Sequence, residues 1–319
     1  MKVALIGYGV IGKVHHKVIE SLNVEVVGIC DIDLDKVISI EKDIVFTDYK
    51  KMLDITSPDI VHICTPHYLH KEMIIYALER NINVLCEKPI CITKEEMDEI
   101  EIVLSSSTAQ LGICYQNRYE PAMFFVKDYL KDKKVVSVNG LLMWHRDANY
   151  YAQANWRGTK KYEGGGVLIN QAIHTLDLMQ YFSSLPEEIV SYTDNISLKN
   201  IIEVEDTAVI NSTDGSFTLT ASNAASRDFP VKITIRTEDE IIEIYQNNVI
   251  INGESFNCKT LKEIPGAKKI YGGGHSSLIN DFYDCISNNE KFEIDFHEAI
   301  KSLKIVLAAY RSFGKKIKI

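Results

Sequence analysis

Asn170 and His174 are the residues whose type and spacing first suggest chemistry. They lie four residues apart in "GGGVLINQAIHTLDLMQYF" (164–182), where three glycines precede an apolar stretch with helical spacing. Side chains at i and i+4 share one face of an α-helix. A neutral imidazole suits the work of a general base, and an amide can bind a hydroxyl. The pattern predicts part of an active site; the alternative is a histidine that only packs in the core.

The three glycines before this helix permit a close approach of the backbone to a neighbour, because they carry no Cβ. We interpret that neighbour as a cofactor or substrate. The preceding stretch, 145–163, is irregular and rich in aromatic, arginine and amide side chains, Arg146 among them. Such side chains stack on sugar rings and bind hydroxyls, and long irregular loops are often functional.

The first 118 residues alternate between apolar runs and helical patterns. The apolar runs are 2–7, 24–31, 44–46, 59–65, 83–88 and 109–116. Buried strands alternating with helices predict an α/β fold with a doubly wound parallel sheet. Ligands of such sheets bind at the carboxyl ends of the strands.

The first predicted strand runs into a glycine motif, "GYGVIG". Gly7 permits a tight turn, Gly9 lets the backbone approach a pyrophosphate, and Gly12 lets the helix pack closely. The second strand ends in Asp31, which would accept hydrogen bonds from ribose hydroxyls and repel a 2′-phosphate. The motif predicts NAD rather than NADP, bound by Asp31 and by the loop residues Gly7, Tyr8, Gly9, Val10, Ile11 and Gly12.

Three later strands end in polar residues next to turn residues. Thr65 and Pro66 follow one strand, "CEKPI" places Glu87 and Lys88 at the end of the next, and "CYQNRY" places Gln116 after the last. A lysine at the carboxyl end of a parallel strand lies at the cofactor crevice. Lys88 is therefore a candidate catalytic residue.

From residue 119 the alternation stops, and a second domain, 119–319, is predicted after a first domain, 1–118. Short runs with a period of two follow residue 186, and "TDGS" (213–216) predicts a hairpin between two of them. An antiparallel sheet with one free face results, and that face suits a homo-oligomer, a dimer or a tetramer. Tyr271 and His275 flank a further glycine cluster and are candidate substrate-binding residues.

Composition excludes several classes of function. The chain has 319 residues and a net charge of −9, which disfavours a nucleic-acid partner. No apolar stretch reaches the length of a membrane span, and we expect neither a membrane partner nor a targeting segment. Seven cysteines without a CxxC pair indicate free thiols in the cytoplasm and predict no metal site.

The whole chain resembles the Gfo/Idh/MocA family, the glucose–fructose oxidoreductase and inositol dehydrogenase group. The resemblance rests on GYGVIG (7–12), TPHYLH (65–70), EKP (87–89), QNRYEPA (116–122), WRG (156–158), GGGVLINQAIH (164–174), GGGHSSLINDFYDCI (272–286) and the closing helix 297–312. It implies a Rossmann domain followed by an α/β domain with a large, mostly antiparallel open sheet. It also implies an NAD(P)-dependent dehydrogenase or reductase acting on CH–OH groups of sugars or cyclitols.

Residue roles follow from the resemblance, position by position. The family's catalytic lysine falls on Lys88, before a cis peptide bond to Pro89, and its helix histidine falls on His174. The residue four before this histidine is frequently Asp in the family and is Asn170 here, where it would orient a hydroxyl. The cofactor set extends to Thr65, Pro66, His70, Glu87, Lys88, Gln116, Trp156 and Arg157, and the substrate set is Asn170, Arg146, Tyr271 and His275.

Together these residues predict hydride transfer between nicotinamide and a carbon bearing a secondary hydroxyl. His174 would take the hydroxyl proton, and Lys88 would stabilise the alkoxide that develops. Two alternatives stay open. One is a redox-neutral reaction through a transient keto-sugar, and the other is an NAD-binding sensor that has lost catalysis.

Overall fold

The computed structural model describes residues 1–245, 247–261 and 273–319 and groups them into two compact units. Unit 1 comprises Met1–Tyr119 with Leu261–Ala299, and unit 2 comprises Glu120–Thr260 with Ile300–Ile319. The predicted domain boundary after residue 118 stays a prediction. Tyr271, a predicted substrate-binding residue, lies outside the described residues.

Unit 1 contains a six-stranded parallel sheet. Its strands are β1 (Lys2–Ile6), β2 (Glu25–Cys30), β3 (Val45–Phe46), β4 (Ile60–Ile63), β5 (Asn83–Glu87) and β6 (Leu111–Cys114), and its first helices are α1 (Val10–Glu20), α2 (Tyr49–Thr56), α3 (His70–Leu78) and α4 (Lys94–Ser106). The strand order is β3-β2-β1-β4-β5-β6, so the order reverses between β1 and β4. This is the predicted doubly wound sheet, and its reversal point is where such folds bind dinucleotides.

The sequence explains why these strands are central. β4 and β6 are buried along their whole length, as expected for strands that have helices on both faces. α2 and α4 begin with side-chain caps, because Asp48 accepts from the backbone of Lys50 and Thr93 accepts from that of Glu96. Short 3₁₀ helices fill several connections, at Leu34–Val37, Lys42–Ile44, His67–Leu69 and Gln116–Tyr119.

Unit 2 contains a nine-stranded, mostly antiparallel sheet. Its strands are β7 (Val135–Met143), β8 (Glu188–Asp194), β9 (Thr207–Ser212), β10 (Phe217–Ser222), β11 (Lys232–Thr237), β12 (Ile241–Tyr245), β13 (Asn248–Ile251), β14 (Glu254–Asn257) and β15 (Ile317–Lys318). The order is β14-β13-β12-β11-β7-β10-β9-β8-β15, and among these described strands only β7 and β10 pair in parallel. The predicted fold class is confirmed, and so is the hairpin, where Gly215 has φ +76°.

The helices of the second half are α5 (Pro121–Tyr129), α6 (Ala148–Ala152), α7 (Lys160–Glu163), α8 (Ile173–Phe182), α9 (Gly274–Asn288) and α10 (Phe296–Ser312). The stretch predicted as irregular, 145–163, contains the short helices α6 and α7. A π-helical turn, Leu168–Ala172, directly precedes α8. Within the described part of the chain, no helix combines the length and apolar character that crossing a membrane requires.

Candidate functional site

The glycine loop between β1 and α1 has the geometry of an anion-binding turn. Gly7 has φ +90°, and a Cβ there would lie 2.6 Å from the Cys64 carbonyl oxygen. A Cβ on Gly12 would lie 2.0 Å from the Gly7 oxygen, whereas one on Gly9 would meet nothing within 4 Å. Gly9 caps α1 without a side-chain hydrogen bond, and the first N–H groups of a helix have no partner within the helix and can bind an anion. The loop therefore fits the pyrophosphate of a dinucleotide.

Asp31 lies directly after β2 and binds the glycine loop. Its Oδ2 accepts a hydrogen bond from the backbone N–H of Tyr8 at 2.7 Å, and its Oδ1 accepts from Asp33 at 2.9 Å. Lys36 Nζ lies 3.3 Å from Oδ1 and 3.7 Å from the carboxylate of Asp33. Oδ2 has a second lone pair beside the one that Tyr8 uses, and this lone pair suits a ribose hydroxyl. The carboxylate also has a cationic neighbour that no sequence motif indicated.

Several predicted cofactor residues meet at the ends of β4 and β5. His70 Nε2 lies 2.8 Å from the Thr65 carbonyl oxygen, and Nδ1 lies 2.7 Å from that of Pro89. His70 thereby joins the turn after β4 to the Lys88–Pro89 bond, which is cis, as the resemblance implied. Pro66 begins the 3₁₀ helix at His67–Leu69, and Lys88 is half-buried.

Gln116 begins the 3₁₀ helix after β6. Its side chain is buried, and no hydrogen-bond partner for its Oε1 occurs among the residues that the structure describes. Buried polar atoms are normally satisfied. An amide oxygen in this state, at the carboxyl end of a strand, fits a polar ligand and supports the choice of Gln116 as a cofactor residue.

Glu87 is the acceptor at one end of a buried hydrogen-bond chain in unit 1. Tyr283 OH lies 2.8 Å from His62 Nε2, His62 Nδ1 lies 2.8 Å from His15 Nδ1, and His15 Nε2 lies 3.1 Å from Glu87 Oε1. His275 Nε2 also lies 3.4 Å from this oxygen. His275, predicted to bind substrate, thus contacts a predicted cofactor residue, and its substrate role stays a prediction.

The acceptor Glu87 determines which atom carries the proton in each hydrogen bond of this series. A carboxylate only accepts, so His15 donates through Nε2 and accepts through Nδ1. His62 then donates through Nδ1 and accepts the hydroxyl proton of Tyr283 at Nε2. Burial lowers the pKa of both His15 and His62, which keeps these imidazoles neutral.

The Glu87 carboxylate itself is ionised. Burial acts to raise its pKa, but the hydrogen bonds from His15 and His275 outweigh burial and hold the pKa well below its usual range. The ligand atoms of these three residues lie within 4.8 Å of one another. Two histidines and a glutamate can bind Zn²⁺, but charge-assisted hydrogen bonds account for the same distances.

In unit 2, Asn170 and His174 lie on either side of a change in helix type. Asn170 is in the π-helical turn Leu168–Ala172, and His174 is in the first turn of α8; both are half-buried. The predicted regular α-helical spacing is therefore wrong for this pair. π-Helical turns are rare and occur frequently at functional sites.

Asn170 is hydrogen-bonded to a buried carboxylate that the motifs did not indicate. Its Nδ2 donates to Glu163 Oε1, while Glu163 Oε2 accepts from the backbone N–H of Gly158. Glu163 is 1% exposed, and burial raises its pKa to about 7. The two hydrogen bonds and the charge of Arg157 oppose this shift, and the charge of Glu205 adds to it.

Two of the glycines before Asn170, Gly165 and Gly166, make room for protein and not for a ligand. A Cβ on Gly165 would lie 2.0 Å from Tyr310 OH, and one on Gly166 would lie 1.9 Å from the Glu205 carbonyl oxygen. The Glu205 carboxylate accepts hydrogen bonds from the backbone of Gly166 and Leu168 and from Tyr310. Our interpretation of these glycines as neighbours of cofactor or substrate is therefore wrong for Gly165 and Gly166.

Arg146 and Arg157 alternate with aromatic rings. The Arg146 guanidinium lies 4.9 Å from the Trp144 ring and 5.2 Å from the Tyr150 ring. Arg157 lies 4.5 Å from Tyr150 and 5.7 Å from Trp156. Arg146 also contacts Asp228 at 2.9 Å. These contacts order the two arginines, whose substrate and cofactor roles stay predictions.

Sequence reasoning missed Lys36, His15, His62, Glu163 and Glu205. Only two of them had a local signal, because Lys36 follows Asp31 by five residues and Glu163 directly precedes the glycine run. His15 and Glu87 are 72 residues apart, and Gly166 and Glu205 are 39 apart. Contacts at such separations depend on the fold and leave no spacing pattern.

Comparisons with known proteins agree with this fold. The model of an oxidoreductase family with an NAD-binding Rossmann fold matches residues 1–113, and the model of its C-terminal alpha/beta domain matches 131–319. Levoglucosan dehydrogenase of Pseudarthrobacter phenanthrenivorans is 28% identical over 42% of this chain and 35% of its own length. D-glucoside 3-dehydrogenase of Escherichia coli is 30% identical over 58% and 55%.

The match therefore spans between about a third and just over half of the length of these curated relatives. Among solved structures, the WlbA dehydrogenase from Bordetella pertussis, in complex with NADH and UDP-GlcNAcA, superposes with a TM-score of 0.87 at 24% identity. That alignment covers 100% of this chain and 97% of the other. At this identity the likeness concerns the fold.

Proposed function

Because the chain belongs to the Gfo/Idh/MocA oxidoreductase family, we propose that it is an NAD-dependent oxidoreductase acting on a secondary hydroxyl or ketone of a sugar, sugar derivative or cyclitol. The observation that carries the proposal is the match of both family models over nearly the whole chain. The relatives named as dehydrogenases of levoglucosan and of D-glucosides support the substrate class.

In this proposal the residues of unit 1 bind the cofactor. The N–H groups at the start of α1 bind the pyrophosphate, and the Asp31 carboxylate accepts hydrogen bonds from the adenosine ribose. Bound NAD supplies the nicotinamide C4 that accepts or returns a hydride. Gln116 offers its buried amide oxygen as a further acceptor.

The reacting hydroxyl is served by Lys88, His174 and Asn170. In the oxidising direction His174 removes the hydroxyl proton, since an imidazole titrates near neutral pH. The Lys88 ammonium donates a hydrogen bond to the same oxygen and stabilises the negative charge that develops on it. Asn170 orients a hydroxyl through its amide.

The proposal extends to the setting of the enzyme. All seven cysteines are free thiols, which suits the cytoplasm. On the central strand β7, Asn139 and Leu141 are exposed while the alternate residues are buried, so one face of the nine-stranded sheet is open. We assign this face to a homo-oligomeric contact.

The experiment is a screen for NADH absorbance over inositols, hexoses, uronates, amino-sugar nucleotides and glycosides, with NAD and NADP in parallel. We expect NADH from at least one member, with NAD preferred. Product formation without net NADH would replace the proposal by the redox-neutral reaction. NAD binding without any product would replace it by the sensor.

A further inference from the structure

We propose that Glu163 is a positioning residue of the substrate site, which holds the Asn170 side chain in one orientation so that its carbonyl oxygen, Oδ1, meets the substrate hydroxyl. The inference rests on the proposed function for the identity of the ligand. The orientation of the amide follows from unit 2 alone.

The two ends of the Asn170 side chain differ in their hydrogen-bonding chemistry. An amide has a donor end, Nδ2, and an acceptor end, Oδ1. Nδ2 donates to Glu163 Oε1, and this bond determines which way Oδ1 faces. A hydroxyl that meets this acceptor end donates its proton to Oδ1.

Glu163 can hold this orientation because its other oxygen is itself fixed. Oε2 accepts from the backbone N–H of Gly158, which cannot turn round. Glu163 ends α7 and is 1% exposed, so its side chain has no solvent-facing alternative. The π-helical turn that carries Asn170 is in turn bound to Glu205 through the backbone of Leu168.

The charged and titratable groups around Glu163 influence whether its carboxyl group is ionised or protonated. Arg157 favours the carboxylate, whereas burial and the neighbouring Glu205 favour the acid. Burial raises the pKa of Tyr151 on α6 and of Tyr310 on α10, and the charge of Glu163 adds to both shifts. With a pKa of about 7, Glu163 changes state near neutral pH, and protonation converts one of its acceptor oxygens into a donor.

Replacing Glu163 by glutamine tests the orientation. The new amide has one oxygen for two donors, and the backbone N–H of Gly158 retains it. Its NH₂ then faces Asn170, whose side chain must turn over to accept. In E163Q we expect kcat/KM for the sugar to fall about tenfold or more, since a buried donor then meets the substrate hydroxyl proton, while the Kd of NAD is unchanged.

The variant E163Q/N170D exchanges the acid and the amide. The glutamine NH₂ donates to the new carboxylate, whose second oxygen accepts from the substrate hydroxyl. We expect this double variant to recover most of the kcat/KM that E163Q loses. N170D alone places two carboxylates in contact, and we expect its kcat/KM to fall as the pH rises above 7.

A spectroscopic measurement keeps this inference separate from the proposed function. We expect the side-chain amide signal of Asn170 in ¹⁵N NMR of the full chain to titrate with a midpoint near pH 7, and this titration to be absent in E163Q. The NMR result stands even if no sugar yields NADH.

Wild-type kcat/KM in E163Q, a double variant no better than E163Q, or the same amide titration in both proteins would overturn the inference. If E163Q does not fold, the double variant is still expected to fold, because a carboxylate at position 170 accepts from the glutamine NH₂ without having to turn over. An unfolded double variant also overturns the inference.

Discussion

At the scale of single residues, Asp31 connects the glycine loop, the end of β2 and the cation of Lys36. Its carboxylate accepts from the Tyr8 backbone and lies 3.3 Å from Lys36 Nζ. In the proposed complex this negative charge repels a 2′-phosphate and neutralises the Lys36 ammonium beside it. Asp31 therefore acts on cofactor choice in two ways.

For Asp31→Ala we expect weaker NAD binding and a preference that moves toward NADP. Removing the carboxylate removes the ribose acceptor and releases Lys36, which can then bind a 2′-phosphate. The ratio of kcat/KM for NADP to that for NAD should rise about tenfold, on the scale of one charge-assisted hydrogen bond. Titration of both cofactors measures it.

Two further variants sharpen this prediction. In Asp31→Ala combined with Lys36→Ala, NAD should bind as weakly as in the single variant, but the gain for NADP should disappear. Asp35→Ala, at an exposed position on the same turn, should behave as the wild type. An unchanged cofactor preference in Asp31→Ala contradicts the ribose assignment.

Spacing predicted those residues that form a recurrent motif in the sequence. The structure leaves no room for a Cβ at Gly7 or Gly12, and Asp31 accepts a hydrogen bond from the backbone of the glycine loop. The sequence did not predict Glu163 as a site residue although it directly precedes the glycines, because no sequence pattern distinguishes a buried carboxylate from an exposed one. Its role depends on a hydrogen bond to the π-helical turn, a turn that helical periodicity cannot distinguish from an α-helix.

At the scale of elements, the chain Tyr283–His62–His15–Glu87 connects α9, β4, α1 and β5 within unit 1. All four side chains are buried, and each neutral imidazole makes one donor and one acceptor contact. The only charge is at the Glu87 end. The loss of a hydrogen bond next to Glu87 should therefore cost more stability than the loss of one at the Tyr283 end.

We expect His15→Phe to lower the free energy of unfolding by about 3 kcal/mol, because it removes the N–H that solvates a buried carboxylate. Tyr283→Phe should cost only about 1 kcal/mol, since it leaves a neutral nitrogen without its donor. Urea titrations followed by circular dichroism measure both. Equal losses contradict the proton assignment.

The same hydrogen-bond chain predicts that the stability of the fold depends on pH. Burial lowers the pKa of His62 in the folded state. Below about pH 6.5 the unfolded protein therefore binds more protons than the folded protein, and the free energy of unfolding decreases as the pH falls. His62→Phe lacks this loss, and its stability difference from the wild type should narrow on acidification. His297→Gln, at an exposed position, is the control.

At the scale of the whole molecule, the sequence predicted the two sheets and their types. Buried runs alternating with helices specify a parallel sheet, and period-two runs with turn residues specify an antiparallel one. The sequence did not predict that α9 packs in unit 1, against α1. A helical pattern shows which face of a helix is apolar but not which sheet that face covers.

Turnover is a property of the whole molecule, and Lys88 is the residue on which the proposed chemistry depends most. The most direct measurement is the single-turnover rate of NADH formation in Lys88→Met with a sugar found by the screen. We predict that the rate decreases by about 10²-fold or more, because the charge developing on the substrate oxygen loses its hydrogen-bond donor. The Kd for NAD should be unchanged. Lys94→Met, at the exposed start of α4, should keep the wild-type rate. A wild-type rate in Lys88→Met would contradict the account.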